Sequence, residues 1–260
     1  MTVRPVNPTI AQIREVSQPL SVTGRSNAEH WVADLYLRKL SPYLTKILLK
    51  TPITANGVTY LMILTGISIS AALMIPGYKG ILVALFLSQL QMLWDCCDGE
   101  IARWRQTQSP KGVFLDRVGH YLTESLIPIA FALRLMGWPN EQVADWKLAF
   151  IGALISILIL LNKAFNDTVH VSRAFAGMQK LADSKESGAA TSSLLRLAKA
   201  PFKVLAVQRL FHSVEMAILI VIFGDNKALL NIGIYVALFV TLGHLVSILG
   251  SRKFSESRVA

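Results

Sequence analysis

The sequence predicts an all-α integral membrane protein, in which six transmembrane helices follow a cytoplasmic amphipathic helix at the membrane interface. Of its 260 residues, 53% are hydrophobic and only 16% are charged, whereas about a quarter of the residues in a soluble domain are charged. The apolar residues fall into runs long enough to cross a bilayer. Most Lys and Arg residues lie at one end of those runs, which is typical of a polytopic membrane protein.

A transmembrane helix needs about 20 mainly apolar residues to cross the hydrocarbon core. Six segments satisfy this condition, namely 56–76, 80–103, 113–137, 147–172, 206–223 and 228–250. The second is unusual because acidic residues occupy its C-terminal third, and the fourth is also polar at its end. We therefore expect a polar site near one end of the bundle.

The distribution of positive charge predicts the orientation of the chain. The short connections 77–79, 138–146 and 224–227 lie on one side of the membrane, and the Lys and Arg residues within them or directly after them are Lys79, Lys147 and Lys227. An excess of Lys and Arg marks the cytoplasmic side. Both termini and the acidic residues are therefore expected in the cytoplasm, in a multi-pass protein of the cell (inner) membrane. The same asymmetry explains the net charge of +10 without a nucleic-acid partner.

Residues 31–50 (WVADLYLRKLSPYLTKILLK) place apolar side chains near helical spacing, with Lys and Arg largely on the other face. This pattern predicts an amphipathic juxtamembrane helix on anionic lipid; the alternative is a helix that packs in a soluble part of the protein. We expect residues 1–30 to form a cytoplasmic segment, 51–250 the six-helix domain and 251–260 a cytoplasmic tail. The connection 176–202 is polar, and a second interfacial helix is expected at its end.

Acidic residues and a histidine concentrate in two consecutive predicted spans. Asp95 and Asp98 share a face of the first span, because they are three residues apart. The next span carries, at four-residue spacing, Asp116, His120 and Glu124. The connection 104–112 is short, so the two polar faces can meet. A carboxylate at membrane depth costs roughly 3 kcal/mol, and neighbouring carboxylates repel one another. A divalent cation resolves both problems, and oxygen ligands favour Mg²⁺ or Mn²⁺ over zinc.

A basic residue and two small residues accompany these carboxylates. Arg103 lies just beyond Asp98 on the same helix, and a metal held by carboxylates beside an arginine suits a pyrophosphate or a phosphodiester. Gly99 and Ala102 present almost no side chain, so a ligand could approach the helix backbone closely. The alternative is an intramembrane salt-bridge network that binds no ligand.

With Gly112, these residues form one pattern: Asp95-x2-Asp98-Gly99-x2-Ala102-Arg103-x8-Gly112-x3-Asp116-x3-His120. The pattern resembles the signature of the CDP-alcohol phosphotransferase family, and departs from it where His120 replaces an aspartate. Residues 53–61 (ITANGVTYL) are similar to the start of the family's first span, with Asn56 and Thr59 at matching positions. The likeness covers most of 31–250 and implies a six-helix membrane enzyme.

The resemblance implies an enzyme that transfers the phosphoalcohol part of a CDP-linked donor to an acceptor alcohol and releases CMP. The donor would be CDP-diacylglycerol or a soluble CDP-polyol, the product a phospholipid or related lipid, and the metal Mg²⁺ or Mn²⁺. The family's metal-ligand positions correspond to Asp95, Asp98 and Asp116. Its donor-binding positions correspond to Asp98, Gly99, Ala102, Arg103, Gly112, Asn56 and Thr59. Because family members are often homodimers, we expect a homodimer in the membrane lipid.

Three interpretations of His120 remain open. It could be the general base, since an unperturbed imidazole has a pKa of ~6.5, with Glu124 one turn later holding its second nitrogen. It could instead belong to an altered metal site, because histidine is a poorer Mg²⁺ ligand than carboxylate. The third interpretation is an inactive relative that binds a CDP-lipid.

Further polar residues indicate an acceptor pocket in the fourth and fifth predicted spans. Candidate acceptor-binding residues are Lys163, Asn166, His170, Arg173 and Arg209. Arginines on two helices suit an acceptor that carries phosphate, such as inositol phosphate; alternatively, Arg173 and Arg209 extend to the lipid headgroups. A transporter could also use intramembrane charges, but here the charges crowd one end of the bundle.

Overall fold

The structure is a computed structural model. It describes residues 4–5, 7–23, 30–138, 145–178, 209–251 and 254. Over these residues the regular elements are helical and no β-strand is present, which confirms the predicted all-α class. The second interfacial helix expected at the end of 176–202 and most of the predicted tail 251–260 lie outside the described residues.

Two short helices occupy the predicted N-terminal segment: α1 (Ile10–Ser17) and α2 (Leu20–Thr23). α1 begins with a capping box, in which Thr9 accepts a hydrogen bond from the backbone of Gln12 and the Gln12 side chain bonds back to Thr9. Such reciprocal bonds satisfy amide groups that have no partner within the helix. Sequence reasoning gave these residues no structure, although the spacing Thr9-x2-Gln12 is a helix-start signal.

The predicted amphipathic segment 31–50 is helical. A π-helical turn (Ala33–Leu37) leads directly into α3 (Arg38–Leu49). Large apolar side chains are exposed along this segment, among them Leu35, Leu40, Tyr43 and Ile47. An exposed apolar surface on a helix otherwise rich in Lys and Arg is what an interfacial helix requires.

Six longer helices follow: α4 (Ala55–Leu73), α5 (Tyr78–Arg105), α6 (Pro110–Leu135), α7 (Trp146–Phe175), α8 (Ser213–Phe223) and α9 (Lys227–Leu249). Among the described residues, four of them are long and apolar enough to cross a membrane, namely α4, α5, α7 and α9. They correspond to the predicted spans 56–76, 80–103, 147–172 and 228–250.

The other two predicted spans differ from expectation. α6 carries five charged side chains, namely Lys111, Asp116, Arg117, Glu124 and Arg134. α8 has only 11 residues, about 16 Å at 1.5 Å per residue, against the ~30 Å of a hydrocarbon core. Within the described part of the predicted span 206–223, residues 209–212 form a turn and α8 begins at Ser213, where the His212 side chain accepts a hydrogen bond from the Val214 amide.

The chain forms two compact units, the first made of Met1–Ile69 and Phe86–Thr123. Its core contains Ala55 and Val58 of α4 packed on Cys97 and Ile101 of α5. α4 and α6 also approach closely, because a Cβ atom at Gly66 would lie 1.9 Å from the hydroxyl oxygen of Thr123. This contact leaves no space for a side chain at position 66.

The second unit comprises Ser70–Leu85 and Glu124–Ala260. Within it α7 packs against α9, where the Thr241 hydroxyl donates to the carbonyl of Leu158 at 3.2 Å. α7 also touches α6 closely, because a Cβ atom at Gly152 would lie 2.7 Å from both the Ala132 Cβ and the Pro128 carbonyl oxygen. Small residues thus let these helices pack backbone to backbone, as is common between membrane helices.

Arg134, near the end of α6, joins two loops of this second unit. Its guanidinium donates to the carbonyls of Leu73, Ile75 and Gly77 at 3.0, 2.6 and 3.0 Å. It also forms a two-point ion pair with Asp225, with Nη2 2.9 Å from Oδ2. The Arg134 side chain is only 5% exposed, so its loss leaves several loop carbonyls without a donor.

Arg134→Met is therefore expected to lower the free energy of unfolding by about 2–3 kcal/mol, because charge-assisted hydrogen bonds and a largely buried charge are lost together. Unfolding in mixed micelles with a rising fraction of SDS measures the difference. Asp145→Asn is the control: it breaks a half-exposed pair, with Lys227 Nζ 3.7 Å from Asp145 Oδ2, and should change stability by about 0–1 kcal/mol. Equal effects of the two substitutions would contradict the prediction.

Candidate active site

Two antiparallel helices of the first unit, α5 and α6, present the acidic residues, and a four-residue link reverses the chain between them. α5 ends where Gln106 adopts a left-handed conformation (φ 57°) and the Thr107 amide bonds to the Ala102 carbonyl at 2.9 Å. α6 begins at Pro110, and the Ser109 hydroxyl accepts from the Gly112 amide at 3.1 Å. Proline at the first helical position after a serine cap is a strong helix start. The link therefore fixes how the two polar faces meet.

Three of the predicted site residues lie together: Asp95, Asp116 and His120. The His120 Nε2 atom is 3.3 Å from Asp95 Oδ1 and 3.7 Å from Asp116 Oδ1. One potential ligand atom from each residue lies within 4.8 Å of the other two. The side chains are 25%, 42% and 21% exposed in the order Asp95, Asp116, His120, so a ligand can reach them.

The donor atoms of this trio fit a divalent cation. Two carboxylates so close together repel each other unless a positive charge lies between them. Carboxylate oxygens are hard ligands that suit Mg²⁺ or Mn²⁺, and an imidazole nitrogen is better suited to Mn²⁺ than to Mg²⁺. Since three ligand atoms converge and all three side chains are accessible, the trio can hold a metal ion and leave positions for a substrate oxygen.

Asp98, the remaining predicted metal ligand, lies outside the trio and is held from α4. Its Oδ2 accepts a hydrogen bond from the Thr59 hydroxyl at 2.7 Å. Asn56 lies on the same stretch of α4, with its Oδ1 3.2 Å from the place of a Cβ atom at Gly112. The predicted donor-binding residues of α4 therefore do stand beside the predicted residues of α5 and α6.

Arg103 lies over Gly99 at the end of α5. A Cβ atom at Gly99 would lie 2.9 Å from Nη1 and 3.1 Å from Nη2 of Arg103, so glycine makes room for the guanidinium. The Arg103 Nε atom donates to the carbonyl of Ser17, the last residue of α1, at 2.6 Å. The predicted phosphate-binding arginine is thus oriented by a helix to which sequence reasoning gave no role.

A comparison with known protein families matches a region that contains the predicted site residues of α4, α5 and α6. The model of the family described as CDP-alcohol phosphatidyltransferase matches residues 52–242. The chain belongs to this family. A comparison with curated proteins returned no match. Members of the CDP-alcohol phosphatidyltransferase family transfer a phosphoalcohol from a CDP-alcohol in lipid synthesis, generally with a divalent metal ion, and the matched region spans the trio and Asp98.

Glu100, which lies within the family motif, accepts hydrogen bonds from residues that the sequence did not indicate as its partners. Glu100 is fully buried, although it stands between Gly99 and Ala102. Its carboxylate accepts hydrogen bonds from the hydroxyls of Ser41 and Thr45, the latter at 2.6 Å. The Gln18 amide donates to it at 2.8 Å. A buried carboxylate needs such donors to offset its desolvation.

The predicted acceptor residues lie in the second unit, and one of them, Lys163, contacts Glu124. Lys163 Nζ is 2.8 Å from Glu124 Oε2, a partner for Glu124 that the sequence did not indicate. His212 Nε2 is 4.0 Å from Glu124 Oε1, and His212 Nδ1 is 3.6 Å from Glu215 Oε2. These pairs place the carboxylates of Glu124 and Glu215 beside the predicted acceptor residue Lys163 and beside His212.

The other predicted acceptor residues differ in exposure. Arg173 is 3% exposed, which favours a place among protein side chains over one at the lipid headgroups. His170 and Arg209 are partly buried, whereas Asn166 is exposed. Arg173 therefore lies inside the second unit, whereas His170, Arg209 and Asn166 remain accessible to a ligand.

Proposed function

We propose that this protein is a magnesium-dependent transferase that moves the phosphatidyl group of CDP-diacylglycerol to an acceptor alcohol and releases CMP. The observation that carries the proposal is the convergence of Asp95, Asp116 and His120 within the family's motif. Carboxylates in such a group suit Mg²⁺, with Mn²⁺ as a possible substitute. The product would be a phospholipid or a related lipid with a phosphodiester link.

In this proposal Asp95, Asp98 and Asp116 hold the metal. The bound cation would neutralise charge on the diphosphate and on the departing CMP. Thr59 fixes the Asp98 carboxylate through its 2.7 Å hydrogen bond. Gly99, Ala102 and Gly112 let the nucleotide approach the helices, while Asn56 and Arg103 offer polar contacts to it.

His120 is proposed as the general base. The acceptor oxygen attacks the phosphorus of the phosphatidyl group, the bond to the CMP oxygen breaks, and the imidazole takes the acceptor's proton. Imidazole suits this task near neutral pH because its unperturbed pKa is ~6.5. Two carboxylates within 4 Å of its Nε2 atom would stabilise the imidazolium that results.

The acceptor is proposed to be a polyol phosphate such as inositol phosphate. Lys163, His170, Arg173 and Arg209 supply positive charge for a phosphate, and Asn166 adds a polar group at the edge of that set. Glu124, bound to Lys163 at 2.8 Å, offers carboxylate oxygens to hydroxyl groups. We further propose six membrane spans, a homodimer and a cytoplasmic active site at the cell (inner) membrane, on the charge asymmetry of the sequence.

CMP release tests this function directly. Purified protein in lipid bilayers is supplied with CDP-diacylglycerol and with inositol, inositol phosphate, glycerol phosphate or no acceptor, each with Mg²⁺, Mn²⁺ or a chelator. A parallel series replaces CDP-diacylglycerol with a soluble CDP-polyol as the donor. We expect CMP release that needs both metal and one acceptor, with inositol phosphate most active. Release only from a CDP-polyol would reverse the assignment of donor and lipid. Nucleotide binding without CMP release from any donor would indicate an inactive relative.

A further inference from the structure

The N-terminal residues 4–18, outside the family match at 52–242, attach to the motif helix α5 at several points. The carbonyl of Ser17 accepts from Arg103 Nε at 2.6 Å, and the Ser17 hydroxyl donates to the main-chain oxygen of Glu100 at 3.1 Å. Gln18 Nε2 donates to the Glu100 carboxylate at 2.8 Å. These bonds join the end of α1 to the turn of α5 that carries the phosphate-binding arginine.

The other end of the same segment holds the last carbonyls of α5. Arg4 donates to the main-chain oxygens of Arg103 and Trp104, and its guanidinium lies 5.6 Å from the centre of the Trp104 ring. The last four carbonyls of a helix have no partner within it, and a cation near them is favourable. Arg4 at one end of this segment, and Ser17 and Gln18 at the other, therefore all form hydrogen bonds with the final turns of α5.

The Glu100 carboxylate also connects this N-terminal segment to α3. Donors reach it from Gln18 after α1 and from Ser41 and Thr45 of α3. Gln18 Nε2 also donates to the carbonyl of Arg38 at 2.8 Å. Glu100 and Arg103 lie on the same side of α5, because they are three residues apart. The residues that hold Glu100 therefore lie beside the turn of α5 that carries Arg103.

The contact with Ser17 restricts the plane of the Arg103 guanidinium. An arginine side chain has several rotatable bonds, and ordering it for a ligand lowers the affinity unless it is already ordered. The Nε bond to Ser17 and the position of Nη1 and Nη2 over Gly99 define one orientation. Ser17 ends α1, so its carbonyl lies at the negative end of that helix and suits a guanidinium.

We propose that Arg4, helix α1 and Gln18 form a clamp that orients Arg103 toward the diphosphate of the CDP-linked donor, with Gln18 and Glu100 as positioning residues. This inference rests on the proposed function, because that function supplies the diphosphate that Arg103 would bind. The clamp adds to that function a role for residues that lie outside the family match. Loosening the clamp should weaken nucleotide binding and raise the KM for the donor, while kcat at saturating donor changes little.

The test is the equilibrium affinity for CDP, measured by calorimetry on the full-length protein in detergent with Mg²⁺ present. Gln18→Met removes the amide that donates to Glu100 and is expected to weaken CDP binding by about 5–10-fold, as the arginine must be ordered on binding. Glu15→Met is the matched control in α1, because Glu15 is exposed, whereas Ser17 and Gln18 make the hydrogen bonds to α5. The control should bind CDP within about twofold of the native protein, the scale of a side chain that does not act on the site.

A double-mutant cycle separates positioning from a general loss of structure. In an Arg103→Met background, Gln18→Met should cause no further loss of CDP affinity, because the clamp acts through Arg103. Losses that multiply would overturn the proposal. Arg4→Met, which removes the second attachment, should weaken CDP binding in the native background even if Gln18→Met fails to fold.

The outcomes also distinguish the clamp from the proposed function. Native protein that binds CDP, with the same affinity for Gln18→Met and Arg4→Met, overturns the clamp alone. Native protein that binds no CDP overturns the proposed donor site and the clamp with it. Weaker CDP binding in both variants, together with a higher KM for the donor and an unchanged kcat, supports the clamp.

Discussion

Asp116→Asn is expected to lower metal-dependent CMP release by about 10²–10³-fold. A metal that stabilises charge on a leaving phosphate contributes several kcal/mol, and each ~1.4 kcal/mol is a factor of ten in rate. Asp116 supplies one of the two carboxylates that converge with His120, at 3.7 Å from its Nε2. An amide in its place keeps the shape but is a weaker ligand for a hard cation.

Thermal unfolding gives a second readout for this substitution that does not depend on catalysis. A ligand present at a hundred times its Kd stabilises a protein by about 2.7 kcal/mol. Mg²⁺ should therefore raise the Tm of the native protein and raise the Tm of Asp116→Asn much less. In the presence of chelator the variant should be at least as stable as the native protein, because one of two neighbouring negative charges is gone.

The control for Asp116→Asn is Asp145→Asn, the same chemical change at a half-exposed position paired with Lys227. It should keep both the CMP release and the stabilisation by Mg²⁺. If Asp116→Asn kept them as well, Asp116 would not be a metal ligand, and the site would have to be built around Asp95 and Asp98.

Features that depend on neighbours in the chain could be predicted from the sequence. The apolar runs of α4, α5, α7 and α9 are local, and so is the spacing that places Asp95 on α5 opposite Asp116 and His120 on α6. Because the link between α5 and α6 is short, the two helices must lie side by side with their polar residues close together. The reversal at Gln106, a left-handed non-glycine residue, is not the kind of helix end that a sequence usually reveals.

Features that depend on distant residues could not be predicted. The sequence gives Glu100 no partner, but the side chain is buried by contacts with α3 and with Gln18, 82 positions away. The start of α8 at Ser213 follows from a histidine cap at His212, and histidine is not among the preferred capping residues. Hydropathy alone therefore did not indicate the turn at residues 209–212.

His120→Ala is expected to lower CMP release by about 10²–10⁴-fold, the usual contribution of a positioned base. His120→Asp, which restores the family's residue, should retain a large part of the native rate, because a carboxylate can both accept a proton and tolerate a nearby metal. Initial rates are measured at saturating donor and acceptor for the native protein and both variants. An alanine variant as active as the native protein would remove His120 from the mechanism.

The dependence on metal concentration separates the two active roles of His120. As the base, His120 can be replaced by alanine without changing the metal concentration that gives half the maximal rate, since Asp95, Asp98 and Asp116 still hold the ion. If His120 is instead a metal ligand, its loss weakens the metal site, so excess Mn²⁺ should restore the rate of His120→Ala.

The 3.3 Å contact between His120 Nε2 and Asp95 Oδ1 permits both roles, because the same nitrogen can face a carboxylate, a proton or a metal. A low rate that no metal concentration restores makes His120 the proton acceptor. Restoration by Mn²⁺ makes it the ligand that replaced the family's aspartate, and the base must then be sought elsewhere.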